Sequence, residues 1–263
     1  RGCAKDCDRG LTMLSLARGR YGARFAADEA DMAASLALRG RVFRAGGPGT
    51  GDADRFDSVC RHILVEDTAT GRLVCSFRLL ALADGREIGR AYAAQFYELS
   101  ALSAYPRAMV ELGRFCMEPT CHDPDVLRVA WAAMTRIVDD EGIGMMFGCS
   151  SFGGTDPGRY LDAFALLRAA HLAPRRWLPR IKARHVFRYA RALRLRTPDM
   201  RVAMAAMPPL LRTYLMMGGW VSDHAVVDAD LGTLHVFTGL EIGRIPPGRA
   251  SLLRGVARSA RLI

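Results

Sequence analysis

The chain has 263 residues, 50% of them apolar, and carries 37 Lys and Arg against 27 Asp and Glu, for a net charge of +10. That composition supports a full hydrophobic core in one large domain or two small ones, and no stretch approaches the roughly 18–20 uninterrupted apolar residues of a membrane span. The seven cysteines are irregularly spaced and odd in number; Cys60, Cys75, Cys116 and Cys149 sit among apolar neighbours, where a reduced thiol acts as a small hydrophobe. No Cys or His spacing completes a zinc site, so the expectation is a protein of the reducing cytosol with no metal.

In chain order, Arg1–Thr12 is polar and lacks the apolar run of a signal peptide; it reads as an upstream extension (1–12) ahead of a start at Met13. Ala27–Leu38 has helical periodicity with Asp28 and Glu29 in its first turn. A glycine-rich loop, Gly46–Asp54, follows, then two apolar β-rich runs, Arg61–Glu66 and Arg72–Leu80, joined by the hairpin signal Thr68-Ala69-Thr70-Gly71. Ala101–Pro106 is irregular and Arg107–Met117 is the next strand. Asp123 and Pro124 open a helix with Val126, Ala130, Trp131, Met134 and Ile137 on one face, stopped by Gly142. Met145–Phe152 is a strand, Gly153–Pro157 a turn, and Gly158–Ala170 a second amphipathic helix. After a basic stretch come helical Asp199–Met217, broken at Pro208-Pro209, and strands at Ala225–Val227 and Thr233–Leu240.

This order predicts an α/β (α+β) single domain over 13–245, a mixed and mostly antiparallel twisted sheet with helices on both faces, followed by a basic C-terminal tail at 246–263. The positive charge is concentrated. Arg168–Arg196 holds ten basic residues and no acid, and the remaining 27 basic residues match the 27 acids. Its cations alternate with Trp177, Leu178, Ile181, Phe187 and Leu193, a mixture that suits an interfacial helix or a docking face for an anionic surface. No nucleic-acid motif accompanies it, so nucleic acid is not an expected partner; a basic nucleic-acid- or membrane-binding module without catalysis is the non-enzymatic alternative.

The chemistry points elsewhere in the chain. Glu111-Leu112-Gly113-Arg114-Phe115 places an acid and a guanidinium inside the apolar run Met109–Met117, where charges are costly unless paired or functional. Similar embedded charges occur at Arg41-Val42-Phe43, at Asp54 and Asp57, and at Arg78-Leu79-Leu80. Residues 111 and 114 face opposite sides of a regular strand. A bulge at Leu112-Gly113 is predicted to bring both into one cleft and to splay this strand from the next.

These four runs, in this order and spacing, resemble two related families: the acyl-homoserine-lactone autoinducer synthases and, more closely, the bacterial L-ornithine Nα-acyltransferases. The second resemblance continues through Met146–Phe152, Thr155-Asp156-Pro157, Pro208–Leu215 and Asp228–Thr233, so it spans about residues 20–245. It implies a GNAT-like acyltransferase fold with a splayed strand pair. The implied reaction transfers a 3-hydroxyacyl chain from acyl carrier protein to the α-amine of L-ornithine, giving a lyso-ornithine lipid. Glutamine as acceptor and autoinducer synthesis remain alternatives. The resemblance also implies no tightly bound cofactor, the carrier's phosphopantetheine thioester as co-substrate, and a cytoplasmic enzyme peripherally attached to the inner face of the cell membrane.

Within that reaction Glu111 is read either as the base that deprotonates the amine or as half of a structural ion pair with Arg114. Tyr160 occupies the place where the fold often keeps its thiol-protonating tyrosine. Arg41, Asp54, Asp57, Arg78 and Arg114 are expected around the amino-acid substrate, with Asp228 and Asp230 as alternative holders of the δ-ammonium group. Arg128 and the basic residues Arg175, Arg176, Arg180, Lys182 and Arg184 are expected to meet the carrier's phosphate or the membrane.

Overall fold

The computed structural model describes residues 14–44, 51–259 and 261–262, so the expected extension and most of the glycine-rich loop lie outside the described residues. Strands β1 (Ser15–Arg18) and β2 (Tyr21–Phe25) form a hairpin that leads to helix α1 (Glu29–Phe43). The Asp28 carboxylate caps α1 by accepting from the Asp31 N–H. The helix runs past its expected end at Leu38 because its buried face continues through Arg39 and Gly40, residue types that interrupt an apolar period. Strands β3 (Arg61–Asp67) and β4 (Arg72–Leu82) are the predicted hairpin, its turn closed by bonds from the Thr70 and Gly71 N–H groups to the Asp67 carbonyl.

Short 3-10 turns surround the two-residue strand β5 (Tyr97–Glu98). Then come β6 (Met109–Met117), α2 (Pro124–Asp140), β7 (Met145–Gly153) and α3 (Leu161–Ala170). The basic stretch is not the expected interfacial helix. It folds into β8 (Arg180–Ile181), β9 (Val186–Phe187) and one turn of helix, α4 (Tyr189–Ala192). Trp177, Tyr189 and Leu193 are buried in the core rather than offered to an interface, since their spacing matches no single helical face. Helices α5 (Met200–Ala206) and α6 (Pro209–Met216) divide at the two prolines as predicted, and β10 (Trp220–Val221), β11 (Ala225–Asp228) and β12 (Thr233–Glu241) follow. The segment expected as a tail supplies α7 (Pro247–Ser259), tied to α2 by a 3.0 Å Arg254–Asp139 ion pair, and β13 (Arg261–Leu262), which pairs with β1.

The main sheet runs β13-β1-β2-β3-β4-β6-β7-β12-β11-β9, with β10 also on β12. Its neighbours are antiparallel except β6 and β7. Helix α1 lies on the face that carries Ser76, where the Ser35 and Ser76 hydroxyls meet at 2.6 Å. Helix α2 covers the opposite face, with Phe77, Leu79, Val110 and Leu112.

Two irregularities make the site. Parallel pairing of β6 with β7 stops at Leu112↔Gly148, so the strands part beyond that rung. The ladder between β4 and β6 slips between Ser76 and Arg78, leaving Arg114 and Phe115 opposite Phe77 alone. The predicted bulge therefore exists, shifted to Arg114-Phe115. Arg114 supplies its kink with a left-handed backbone, φ +52°. At the last rung a Cβ on Gly148 would lie 2.3 Å from the Leu112 carbonyl oxygen. Gly148→Ala is expected to cost about 1–3 kcal/mol by forcing the strands apart, while Gly243→Ala, with nothing within 4 Å, should leave the denaturant midpoint nearly unchanged.

Candidate active site

Beyond the last shared rung, a cleft of about 240 Å³ opens between β6 and β7, lined among others by Arg78, Tyr92, Glu111, Arg114, Asp228 and His235. The parallel pair opens towards its C-terminal ends, the end from which the chain passes into α2 after β6.

A buried ionic cluster frames one wall. One loop delivers Asp52, Asp54 and Asp57, while three different elements deliver Arg39, Arg78 and Arg114. Arg78 grips Asp54 with two nitrogens at 2.6 and 2.8 Å and reaches Asp57 at 2.6 Å. Arg39 holds Asp57 at 2.6 Å and Asp52 at 3.1 Å, and Arg114 Nε meets Asp52 at 2.5 Å. Arg44 adds a 3.0 Å contact to Asp52. Asp52 and Arg39 are each 1% exposed. Burial alone pushes the Asp54 and Asp57 carboxyls up, but the arginine hydrogen bonds outweigh it and hold both below the usual range. Burial likewise opposes the Arg114 charge, and contact with Tyr92 and Asp52 raises its pKa regardless. Its guanidinium lies 5.0 Å from the Tyr92 ring and 5.8 Å from the Phe43 ring.

Glu111 is 4% exposed and pairs with no guanidinium among the described residues; its two oxygens accept from the Tyr92 and Ala93 N–H groups at 2.7 and 2.8 Å. Desolvation lifts its pKa to about 7 against the pull of those two bonds. The ion-pair reading of Glu111 and Arg114 is thus replaced: both face the cleft, the acid on a backbone cradle and the guanidinium on Asp52. His235 is a further buried group, its pKa lowered to about 4 by burial, so it is neutral near pH 7. The Tyr97 hydroxyl donates to the His235 carbonyl at 2.8 Å and lies 3.1 Å from Nδ1. With its proton committed, that hydroxyl can only accept from Nδ1–H, which leaves Nε2, without a protein partner, as the acceptor.

The expected residues divide. Arg78, Arg114, Asp54, Asp57 and Glu111 assemble as predicted, and Asp228 lines the cleft with one oxygen taken by the Leu231 N–H at 3.0 Å. Arg41 does not join them. It is 49% exposed and pairs with Glu118 at 2.9 Å, because two residues of helix rotate it away from the face that carries Arg39. Asp230 is exposed and holds Arg44. The Tyr160 hydroxyl donates to the Gly153 carbonyl at 2.7 Å and is not among the cleft-lining residues. Arg128 pairs with Asp125 on the surface, Arg176 with Glu241, and Arg175, Arg180 and Arg184 are exposed. Lys182 donates to the Ala94 carbonyl at 2.6 Å, next in the chain to the Tyr92 and Ala93 amides that cradle Glu111.

Arg39, Asp52, Tyr92 and His235 escape sequence reasoning. Only Arg39 left a usable signal, its four-residue spacing from buried Ser35 on the inward face of a capped helix.

A parallel strand pair that parts beside a buried carboxylate, in a mostly antiparallel sheet, defines an acyltransferase of the GNAT class. The acetyltransferase (GNAT) domain family matches residues 38–132. FeeM, an N-acyl amino acid synthase from uncultured soil microbes, shares the fold at a TM-score of 0.50 and 10% identity, over 85% of this chain and 93% of that one. Over 230 residues the sequence is 34% identical to the L-ornithine N(alpha)-acyltransferase of Rhodobacter capsulatus, covering 82% of this chain and 88% of that protein. The enzyme of the same name from Brucella abortus is 31% identical over 201 residues, 74% of this chain and 71% of that protein. The chain belongs to the L-ornithine Nα-acyltransferase family.

Removing Asp52 would leave buried Arg39, Arg78 and Arg114 to share Asp54 and Asp57, one positive charge in excess. Asp52→Ala is expected to lose about 3–5 kcal/mol of unfolding free energy, against less than about 1 kcal/mol for Asp230→Ala at the exposed end of the same network. Urea melts of the two variants measure the difference.

Proposed function

We propose that the protein transfers a 3-hydroxyacyl chain from the phosphopantetheine thioester of acyl carrier protein to the α-amine of L-ornithine. The observation that carries this reading is a cleft lined by a proton acceptor and a guanidinium from β6 and a second carboxylate from β11. The substrate's carboxylate is assigned to Arg114, whose Nε and one terminal nitrogen are engaged by Asp52 and Asp54, leaving the other for a ligand. The δ-ammonium is assigned to Asp228, and His235 Nε2 offers the amine a neutral acceptor.

In the reaction the amine nitrogen attacks the thioester carbonyl, the C–N bond forms and the C–S bond breaks. Glu111 takes the amine proton, directly or through a water. Tyr92, whose phenol burial keeps protonated and which lines the cleft where Tyr160 does not, supplies a proton to the departing thiolate. Support for a carrier protein as donor is the acid-free basic stretch, whose Lys182 and Ala183 bond to the segment that backs Glu111. No helix among the described residues is long and apolar enough to cross a membrane. A position at the inner face of the membrane is part of this proposal.

The test is purified protein with carrier protein bearing a 3-hydroxyacyl chain, offered each amino acid in turn. Ornithine alone should give the amide, and Asp228→Asn should raise its KM by about tenfold; product with glutamine alone overturns the ornithine assignment.

Because burial raises the Glu111 pKa to about 7, the basic form is scarce below that value and dominant above it. The transfer rate should climb with pH through about 7 and then level. Glu111→Gln should abolish this limb and cut kcat by at least about a hundredfold. It also turns an amide donor toward a backbone N–H, so the folded fraction is measured alongside; an unchanged pH profile removes Glu111 as the base.

A further inference from the structure

Nine large apolar side chains are conspicuously exposed among the described residues, and five cluster late in the chain: Leu195 (87%), Met200 (54%), Val202 (50%), Met204 (38%) and Met216 (46%). They are not the residue of poor packing. Tyr189, Leu193, Ala203 and Met207 from the same segments are buried against α3, so α4, the following loop and α5 are firmly seated with a second apolar set turned outward. An outer helix face exposed to water would carry polar residues there.

The surrounding charge is one-sided. Arg188, Arg191, Arg194 and Arg196 line a shallow concavity beside Leu195, and Arg201 is exposed on α5. The neighbouring carboxylates are already engaged. Asp162 holds Arg196 at 2.9 Å, and Asp199 caps α5 by accepting from the Arg201 and Val202 N–H groups. Arg188, Arg191, Arg194 and Arg201 make no ion pair among the described residues.

We propose that this face, Leu195–Met204 with Arg188, Arg191 and Arg194 in and beside α4, docks on an anionic phospholipid surface. Exposed Leu, Met and Val side chains enter the acyl boundary, and unpaired guanidiniums meet the phosphates. Charge complementarity selects the anionic lipid, and the unbranched methionines suit a fluid partner without fixed pockets. The face adjoins the site, since α5 leads directly into Pro208 and Pro209, which line the cleft. On the reaction proposed above, a long-chain amide leaving the cleft would pass into the bilayer without crossing water.

The test is co-sedimentation of the purified chain, without substrates, with vesicles of phosphatidylcholine alone or mixed with phosphatidylglycerol. The mixed vesicles should bind it and the neutral ones should not. The combined changes Leu195→Asp, Met200→Asp and Val202→Asp, and separately Arg188→Glu, Arg191→Glu and Arg194→Glu, should each weaken binding by at least about tenfold. Circular dichroism melts should match the parent, since all six side chains are exposed. Equal binding to both vesicles, or binding that survives either set, overturns the proposal. Loss with the arginine set alone, together with displacement by an acidic carrier protein, assigns the face to a protein partner and also overturns it. The readout needs no turnover, so a failure of the ornithine assignment leaves it untouched.

Discussion

Asp52 is a carboxylate taken almost wholly out of water and shared by the guanidiniums of Arg39, Arg44 and Arg114. An ion so placed loses hydration worth several kcal/mol, which its neighbours offset only if all are in position. The acids come from one loop and the arginines from α1, β4 and β6, so the network holds three elements in fixed relation along one wall of the cleft. The bulge at Arg114-Phe115 depends on it as well, since the left-handed backbone at Arg114 persists only where surrounding contacts over-determine it.

Against this charged wall, Glu111 works by a different balance. It lies on the same sheet, yet it is kept apart from the guanidiniums and given two backbone amides in place of a counter-ion. A carboxylate beside Arg78 or Arg114 at salt-bridge distance would be pinned as an anion of low basicity. Isolation in a dry cleft raises its pKa towards neutrality, where accepting and releasing a proton cost least. The cluster therefore also acts by exclusion, since Asp52, Asp54 and Asp57 occupy the cations that would otherwise pair with Glu111.

Much of this was legible in the sequence because strands and capped helices announce themselves locally. Asp123 caps its helix where its position indicates, Asp28 caps α1 one residue before the first turn expected to hold it, and the embedded charges at 78, 111 and 114 mark the site. What escaped depends on distance in the chain. Asp52 lies in a glycine-rich loop with no periodicity, and its burial exists only once three arginines close over it. His235 reads as one of six scattered histidines until Tyr97 fixes its tautomer across the sheet. Arg39 stands where Arg41 is expected, a difference of helical phase, since α1 buries a polar face that an apolar pattern cannot reveal. The helical form expected of the basic stretch and the tail expected at 246–263 differ from the structure for a related reason: charge hides residues such as Trp177 and Leu253 that pack inward.

The left-handed backbone of Arg114 has an evolutionary corollary. Glycine or asparagine would occupy φ +52° with less strain, so relaxing that position would recover part of the roughly 1–3 kcal/mol stored there. The same exchange would empty the slot between Phe43 and Tyr92. It would also strip a guanidinium from buried Asp52, a loss of about 3–5 kcal/mol that exceeds the strain relieved, so stability itself holds an arginine in this backbone.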